Sequence, residues 1–215
     1  AQYWTWVAGS DENSQPSNYG TKGTAASSNT PGARSSPATW VDNDKNMWLF
    51  GGTGQYSDNP NPCLNDLWKY DISTGYWTWV GGSNISLQKG NYGTKGTAAS
   101  TNIPGARNRA VSWLDNNGDL WLFGGTGKDK TNSNTYYDLN DLWKYNISSG
   151  NWTWVGGSDV HSEKPIHGTK GTAASSNIVG ARSSSGSWVD SDGNLWLFGG
   201  YGTEKGGTIN EFLND

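Results

Sequence analysis

Two histidines, His161 and His167, and a single cysteine, Cys63, are the side chains of this sequence best suited to metal or nucleophilic chemistry. Imidazole and thiolate together would suit copper or zinc. Both histidines fall in one stretch of the chain and Cys63 lies far upstream, so their spacing does not gather a ligand set. A Ser-His-Asp arrangement is no better placed, because His167 stands where parallel stretches carry Tyr19 and Tyr92. That substitution reads as one aromatic ring for another in a structural slot, not as a general base. Gly20-Thr21-Lys22-Gly23-Thr24 has the residue types of a phosphate loop but not the Gly-x-x-x-x-Gly-Lys-Ser/Thr spacing. Asp42-Asn43-Asp44 and Asp190-Ser191-Asp192-Gly193-Asn194 crowd oxygen ligands as a calcium loop does, yet no distal bidentate acid follows them. Both read as hairpin turns. The sequence therefore predicts no catalytic residue, no metal ligand and no cofactor.

What organises the chain is repetition. Trp4-Thr5-Trp6-Val7 returns as Trp77-Thr78-Trp79-Val80 and Trp152-Thr153-Trp154-Val155. Arg34, Arg107 and Arg182 each follow Gly-Ala, and Trp48, Trp121 and Trp196 each open Trp-Leu-Phe-Gly-Gly. Leu64-Asn65-Asp66-Leu67-Trp68-Lys69-Tyr70 is matched by residues 139–145 and then by Leu213-Asn214-Asp215. The expected division is residues 1–76, 77–151 and 152–215, the third copy truncated. All 14 tryptophans fall on repeat positions, so each ring is expected in packing between repeats and none in a site of its own.

In the middle copy the pattern predicts four short strands, Arg107–Leu114, Asp119–Phe123, Asp141–Tyr145 and Trp152–Val155, which we call a to d. Asp115-Asn116-Asn117-Gly118 and a glycine-bearing turn before Asn151 join a to b and c to d. One small antiparallel sheet per copy cannot bury both of its aromatic faces, so neighbouring sheets are expected to stack. The repeated arginine, opening strand a, is expected to bond carbonyls or a carboxylate of the adjacent sheet, or else to line a central channel for an anion.

A double glycine closing strand b, a tyrosine in c and a tryptophan in d (Gly51-Gly52, Tyr70, Trp77; Gly124-Gly125, Tyr145, Trp152) together resemble the kelch repeat of β-propellers. The resemblance spans essentially the whole chain and implies an all-β, kelch-type propeller or propeller segment, with about three four-stranded blades here. Kelch repeats usually run to about 50 residues, and these are longer. The surplus lies between d and the next a (Gly81–Gly105) and between b and c (Thr126–Asp138). In an up-down blade both connections emerge on one face, the expected interaction surface. The b-to-c connections vary most, which singles out Asn59, Asn61, Tyr136 and Tyr137 as possible contact residues. Kelch-containing oxidases of the galactose oxidase type use histidine, tyrosine and a cysteine-linked tyrosine around copper; this chain departs from that set.

The 33% hydrophobic content is concentrated in a few large rings, and 31 glycines imply many turns and few helices. A net charge of −4 without basic runs argues against nucleic acid, and no apolar run is long enough to enter a membrane as a helix. Sequons at Asn84, Asn146 and Asn151 allow glycosylation, with Asn146 the best placed because it opens a short turn. The functional expectation is a non-enzymatic extracellular or cell-surface module for binding, structure or adhesion. Its partners would be a protein, or other copies met through the terminal strands, since Trp4–Val7 is a d strand alone and residues 213–215 only begin a c strand. The alternatives are a multivalent lectin with one aromatic site per blade and, less favoured, a carbohydrate oxidase. Further chain beyond Asp215 is also expected.

Overall fold

The computed structural model describes residues 3–56, 59–131, 135–204 and 210–215. Its regular structure is entirely β, with no helix among the described residues. Among the described residues, then, no helix is long and apolar enough to cross a membrane. The first sheet contains β1 (Arg34–Ser35), β2 (Ala38–Val41), β3 (Met47–Tyr56), β4 (Asn59–Asp71) and β5 (Tyr76–Gly81). The second repeats it with β6 (Arg107–Asn108), β7 (Val111–Leu114), β8 (Leu120–Gly127), β9 (Tyr137–Asn146) and β10 (Asn151–Gly156). The third stretch forms β11 (Arg182–Ser183), β12 (Gly186–Val189), β13 (Leu195–Phe198), β14 (Gly200–Thr203) and β15 (Asn210–Leu213). All pairings among these strands are antiparallel: β3 holds β1 and β2 on one side and β4 on the other, and β5 lies outside β4, while the third stretch pairs as two pieces, β11-β14-β15 and β12-β13.

Two expectations about strands are corrected. Strand a is broken in each copy by a left-handed residue, Ser36 (φ 52), Arg109 (φ 55) or Ser184 (φ 58). The break frees backbone groups that stitch the sheets together, Arg109 N donating to Ser36 O and Ser184 N to Arg109 O, both at 3.0 Å. Strands b and c are longer than expected, because Thr126 pairs with Asp138 and Gly127 with Tyr137, as Thr53 pairs with Cys63 and Gln55 with Pro60. Much of the b-to-c surplus is thus ladder, where backbone groups satisfy one another without solvent.

The double glycine has a geometric cause. Gly124 (φ 61) and Gly125 (φ 90) sit at a register shift between Phe123 and Gly125. A Cβ on Gly124 would lie 2.6 Å from Arg182 O of the next sheet, so the two sheets' backbones approach too closely here for a side chain.

Between the first two sheets, Trp48 meets Tyr145 (ring centroids 5.9 Å) and Phe50 meets Trp152 (5.5 Å). Trp40 Nε1 donates to Trp121 O at 3.1 Å, and Trp113 Nε1 donates to Trp196 O at the same distance across the next junction. Rings here supply both apolar area and a polar tether.

The segment before each of the first two sheets returns to cover that sheet's outer strand. Gly23 N donates to Trp79 O and Ala26 N to Trp77 O; Gly96 and Ala99 do the same for Trp154 and Trp152. Lys22 and Lys95 each place Nζ 4.3 Å over the ring of Trp79 or Trp154. A strand edge that would otherwise invite pairing with other chains is closed from within.

Candidate functional site

The most elaborate polar constellation recurs once per copy. In the second, Arg107 is 1% exposed and forks onto Asp141, Nη1 to Oδ1 at 2.6 Å and Nη2 to Oδ2 at 2.7 Å. Its Nε donates to Gly105 O and Nη1 also to Gly124 O. Tyr92 Oη and Trp143 Nε1 both donate to Asp141 Oδ2 at 2.7 Å. Burial first, then the neighbouring Asp141 carboxylate, hold the Tyr92 phenol well above its ordinary range. It remains a donor. In the first copy Arg34, Asp66, Tyr19 and Trp68 reproduce the set. In the third, Arg182 forks onto Asp215, and His167 Nε2 meets Asp215 Oδ2 at 2.8 Å in the tyrosine's place.

This geometry corrects the expectation for the arginines. The carboxylate belongs to the same sheet, β6 to β9, because the guanidinium lies along strands a and c under the double glycine. With Arg107 and Arg182 at 1% exposure, an anion has no access to them. What the node can do chemically is pin strand a, strand c and the preceding segment together by charge-assisted bonds.

The acidic turns are likewise occupied by their own chain. Asp42 accepts from Asp44 N, Asn46 N and Trp48 Nε1, the last at 2.7 Å, and Asp190 accepts from Asp192 N, Asn194 N and Trp196 Nε1. Those bonds, the tryptophan's first, lower the Asp190 carboxyl to about 2. Cys63 is buried, which pushes its thiol up to about 11. Among the described residues no group of three or more His, Cys, Asp and Glu side chains is placed to hold a metal.

Tyr136 accepts from Cys63 N at 3.2 Å, and Tyr137 stacks on His161 with centroids 3.7 Å apart, so both are drawn into the molecule. Asn59 and Asn61 belong to β4 by backbone, and their side chains lie outside the described part. Of the sequons, Asn84 is exposed, while Asn146 and Asn151 are half-buried. Asn146 gives its amide to Asp119 Oδ1 at 2.7 Å and accepts from Ser149 N, so the residue expected to be best placed for glycosylation is the hub of its own turn.

The repeated tryptophans divide into two groups. Trp40, Trp48 and Phe50 are 5%, 4% and 1% exposed, and Trp68 and Trp143 are fully buried. Their counterparts in the third copy, Trp188, Trp196 and Phe198, are 50%, 49% and 55% exposed. Trp4 and Trp6 are exposed as well. The expectation that every ring is packed between repeats is therefore corrected: no sheet among the described residues covers the outer face of β12 and β13. Trp188 and Trp196 lie stacked, with planes 2° apart. This open face is the feature that sequence counting missed, because the residues are identical to buried ones and only their position in the stack differs.

No family model matches the chain, and no curated protein matches it. Among solved structures the chain is similar to the structure of YjhT, at 16% sequence identity and a TM-score of 0.44, over 80% of this chain and 60% of that one.

Proposed function

We propose that the three sheets are consecutive blades of a kelch-type propeller, and that the chain is a non-enzymatic structural or binding module whose open blade face associates with another such blade. One observation carries this reading: Trp196 and Phe198 are half exposed, whereas Trp48 and Phe50, the same residues two repeats earlier, pack on Tyr145 and Trp152. A contiguous aromatic patch of this kind marks an association site. The partner it fits is a second copy. Tyr70 and Trp77 of the first sheet are the counterparts of Tyr145 and Trp152, so one chain's third sheet matches another's first. An extracellular or cell-surface setting goes with this reading, with Asn84 the most accessible glycosylation point.

The lectin alternative is disfavoured by the lysines. A sugar would stack on Trp79 or Trp154, and Lys22 and Lys95 lie over those rings. Light scattering across a concentration series tests the proposal. The chain should show a discrete oligomer, and Trp196→Ser with Phe198→Ser should convert it to monomer while leaving Trp68 and Trp143 packing intact. A wild-type chain that is monomeric at all concentrations overturns it.

A further inference from the structure

Asp138 is a buried acid that the arginine nodes leave unused. It stands in β9 opposite Thr126, as Cys63 stands in β4 opposite Thr53, and the two residues are 4% and 1% exposed. In the first sheet this slot holds a thiol that burial keeps neutral, and in the second it holds a carboxyl. Thr126 Oγ1 donates to Asp138 Oδ1 at 2.8 Å, Asn210 Nδ2 of the third sheet donates to Oδ2, and the Ser183 hydroxyl, also of the third sheet, lies within hydrogen-bond reach. All three partners are neutral. Among the described residues no ion pair includes Asp138.

The charged groups on the surrounding elements are engaged elsewhere. Arg107 and Arg182 grip Asp141 and Asp215, Lys128 lies 5.1 Å from the centre of the Tyr136 ring, and Lys130 pairs with Asp159. Asp129 accepts from Thr131 and from His161 N, while Glu163 is half-buried and Glu211 exposed. Burial raises the Asp138 carboxyl above its ordinary range, and the bonds from Thr126 and Ser183 and the charge of Arg109 pull it back only in part.

The same residue ties down the long connections. Asp138 O accepts from Ser162 N at 2.9 Å, where Ser162 is left-handed (φ 58), and His161 just before it stacks on Tyr137. Ser184, next to Ser183, bridges the same two sheets through its bond to Arg109 O. We propose that Asp138 is a proton-operated latch between the second and third sheets: neutral, it holds Ser183 and Asn210 against Thr126, and ionised, it loosens that junction together with the connection carrying Ser162. A hydroxyl can turn its bond round, so Thr126 Oγ1 accepts from the neutral carboxyl while Asn210 Nδ2 goes on donating to the other oxygen. Loss of the proton leaves a charge among neutral donors in a slot poor in water, and solvating that charge requires the sheets to part. The folded value lies above the unfolded one, so the latch's contribution is complete below the ordinary carboxylate range and is lost as pH rises through the raised value. Asp190, which is lowered, behaves oppositely.

Hydrogen exchange of the whole chain, read residue by residue by NMR, tests the latch. From about pH 4 to about pH 8, which brackets a raised carboxylate, protection of the Ser162 and Ser184 amides should fall about threefold or more. The Arg109 amide, which donates to Ser36 O at the junction where the slot holds Cys63, should keep its protection. Asp138→Asn is neutral at every pH and should abolish the fall. His161, whose Nδ1 meets Ser162 Oγ, is present in both proteins, so the difference between them reads Asp138 alone. Protection of Ser162 and Ser184 that is independent of pH in the wild type, or that falls equally in Asp138→Asn, overturns the latch. A carbon-detected titration of the wild-type chain needs no variant: Asp138 should titrate above the ordinary carboxylate value, and a midpoint at or below that value also overturns the proposal.

Discussion

His167 Nε2 lies 2.8 Å from Oδ2 of Asp215, the position that Tyr92 Oη holds against Asp141 at 2.7 Å. A histidine thus does in the third node what tyrosine does in the second, donating to the carboxylate that the arginine already grips. The third node is the more open: the Asp215 side chain is 35% exposed and that of Asp141 is fully buried.

Removing the carboxylate charge should therefore cost different amounts in the two nodes. Asp141→Asn leaves Arg107 buried without its counter-charge and is expected to destabilise by about 3–5 kcal/mol. Asp215→Asn should cost less, because the Asp215 carboxylate is 35% exposed and water already screens it, although Arg182 is as buried as Arg107. Urea denaturation of the two variants, followed by tryptophan fluorescence, measures both; equal losses would contradict the assignment of Arg107–Asp141 as the buried anchor.

Gly124 tests the stitch between sheets. Its φ of 61 and the carbonyls of Arg182 and Leu139 at 2.6 and 2.9 Å from a built Cβ leave no room for a side chain. Gly124→Ala should destabilise by about 1–3 kcal/mol. Gly171→Ala, also at positive φ but with nothing within 4 Å of its Cβ, should show only the smaller backbone penalty. Thermal melts of the two variants separate crowding from backbone strain.

The acidic turn of the third copy gives a pH prediction. Asp190 is held at about 2, first by the Trp196 indole and then by Asn194. Its folded value lies below its unfolded one, so the turn's contribution is present above the ordinary carboxylate range and is lost as pH falls toward about 2. Trp196→Phe removes the indole donor and should move the Asp190 carboxyl upward in a carbon-detected NMR titration. An unchanged titration would show that Asn194 and the backbone amides hold the carboxylate without the indole.

Much of the sheet order was legible because Trp-x-Trp, Trp-Leu-Phe-Gly-Gly and Leu-Trp-Lys-Tyr each mark one strand, and turns rich in Asp, Asn and Gly separate them. The split of strand a at Arg109 was not legible: a non-glycine residue at positive φ carries no local signal, and its cause, the bond to Ser36 O, comes from another sheet. The arginine's partner was visible only as a charge. Arg107 and Asp141 lie 34 residues apart, and choosing between the same and the adjacent sheet requires the register of β8 on β9. The open aromatic face was invisible for a different reason: Trp48 and Trp196 both open Trp-Leu-Phe-Gly-Gly, and their exposure depends on what is stacked against them.

Hydroxyl-radical footprinting over a range of chain concentrations tests the association face most directly, because it reads Trp188, Trp196 and Phe198 one by one. As concentration rises these three should lose reactivity together, toward the low level that Trp40, Trp48 and Phe50 show throughout, while Trp68 and Trp143 stay protected at every concentration. Reactivity of Trp188, Trp196 and Phe198 that remains high and independent of concentration would contradict the account.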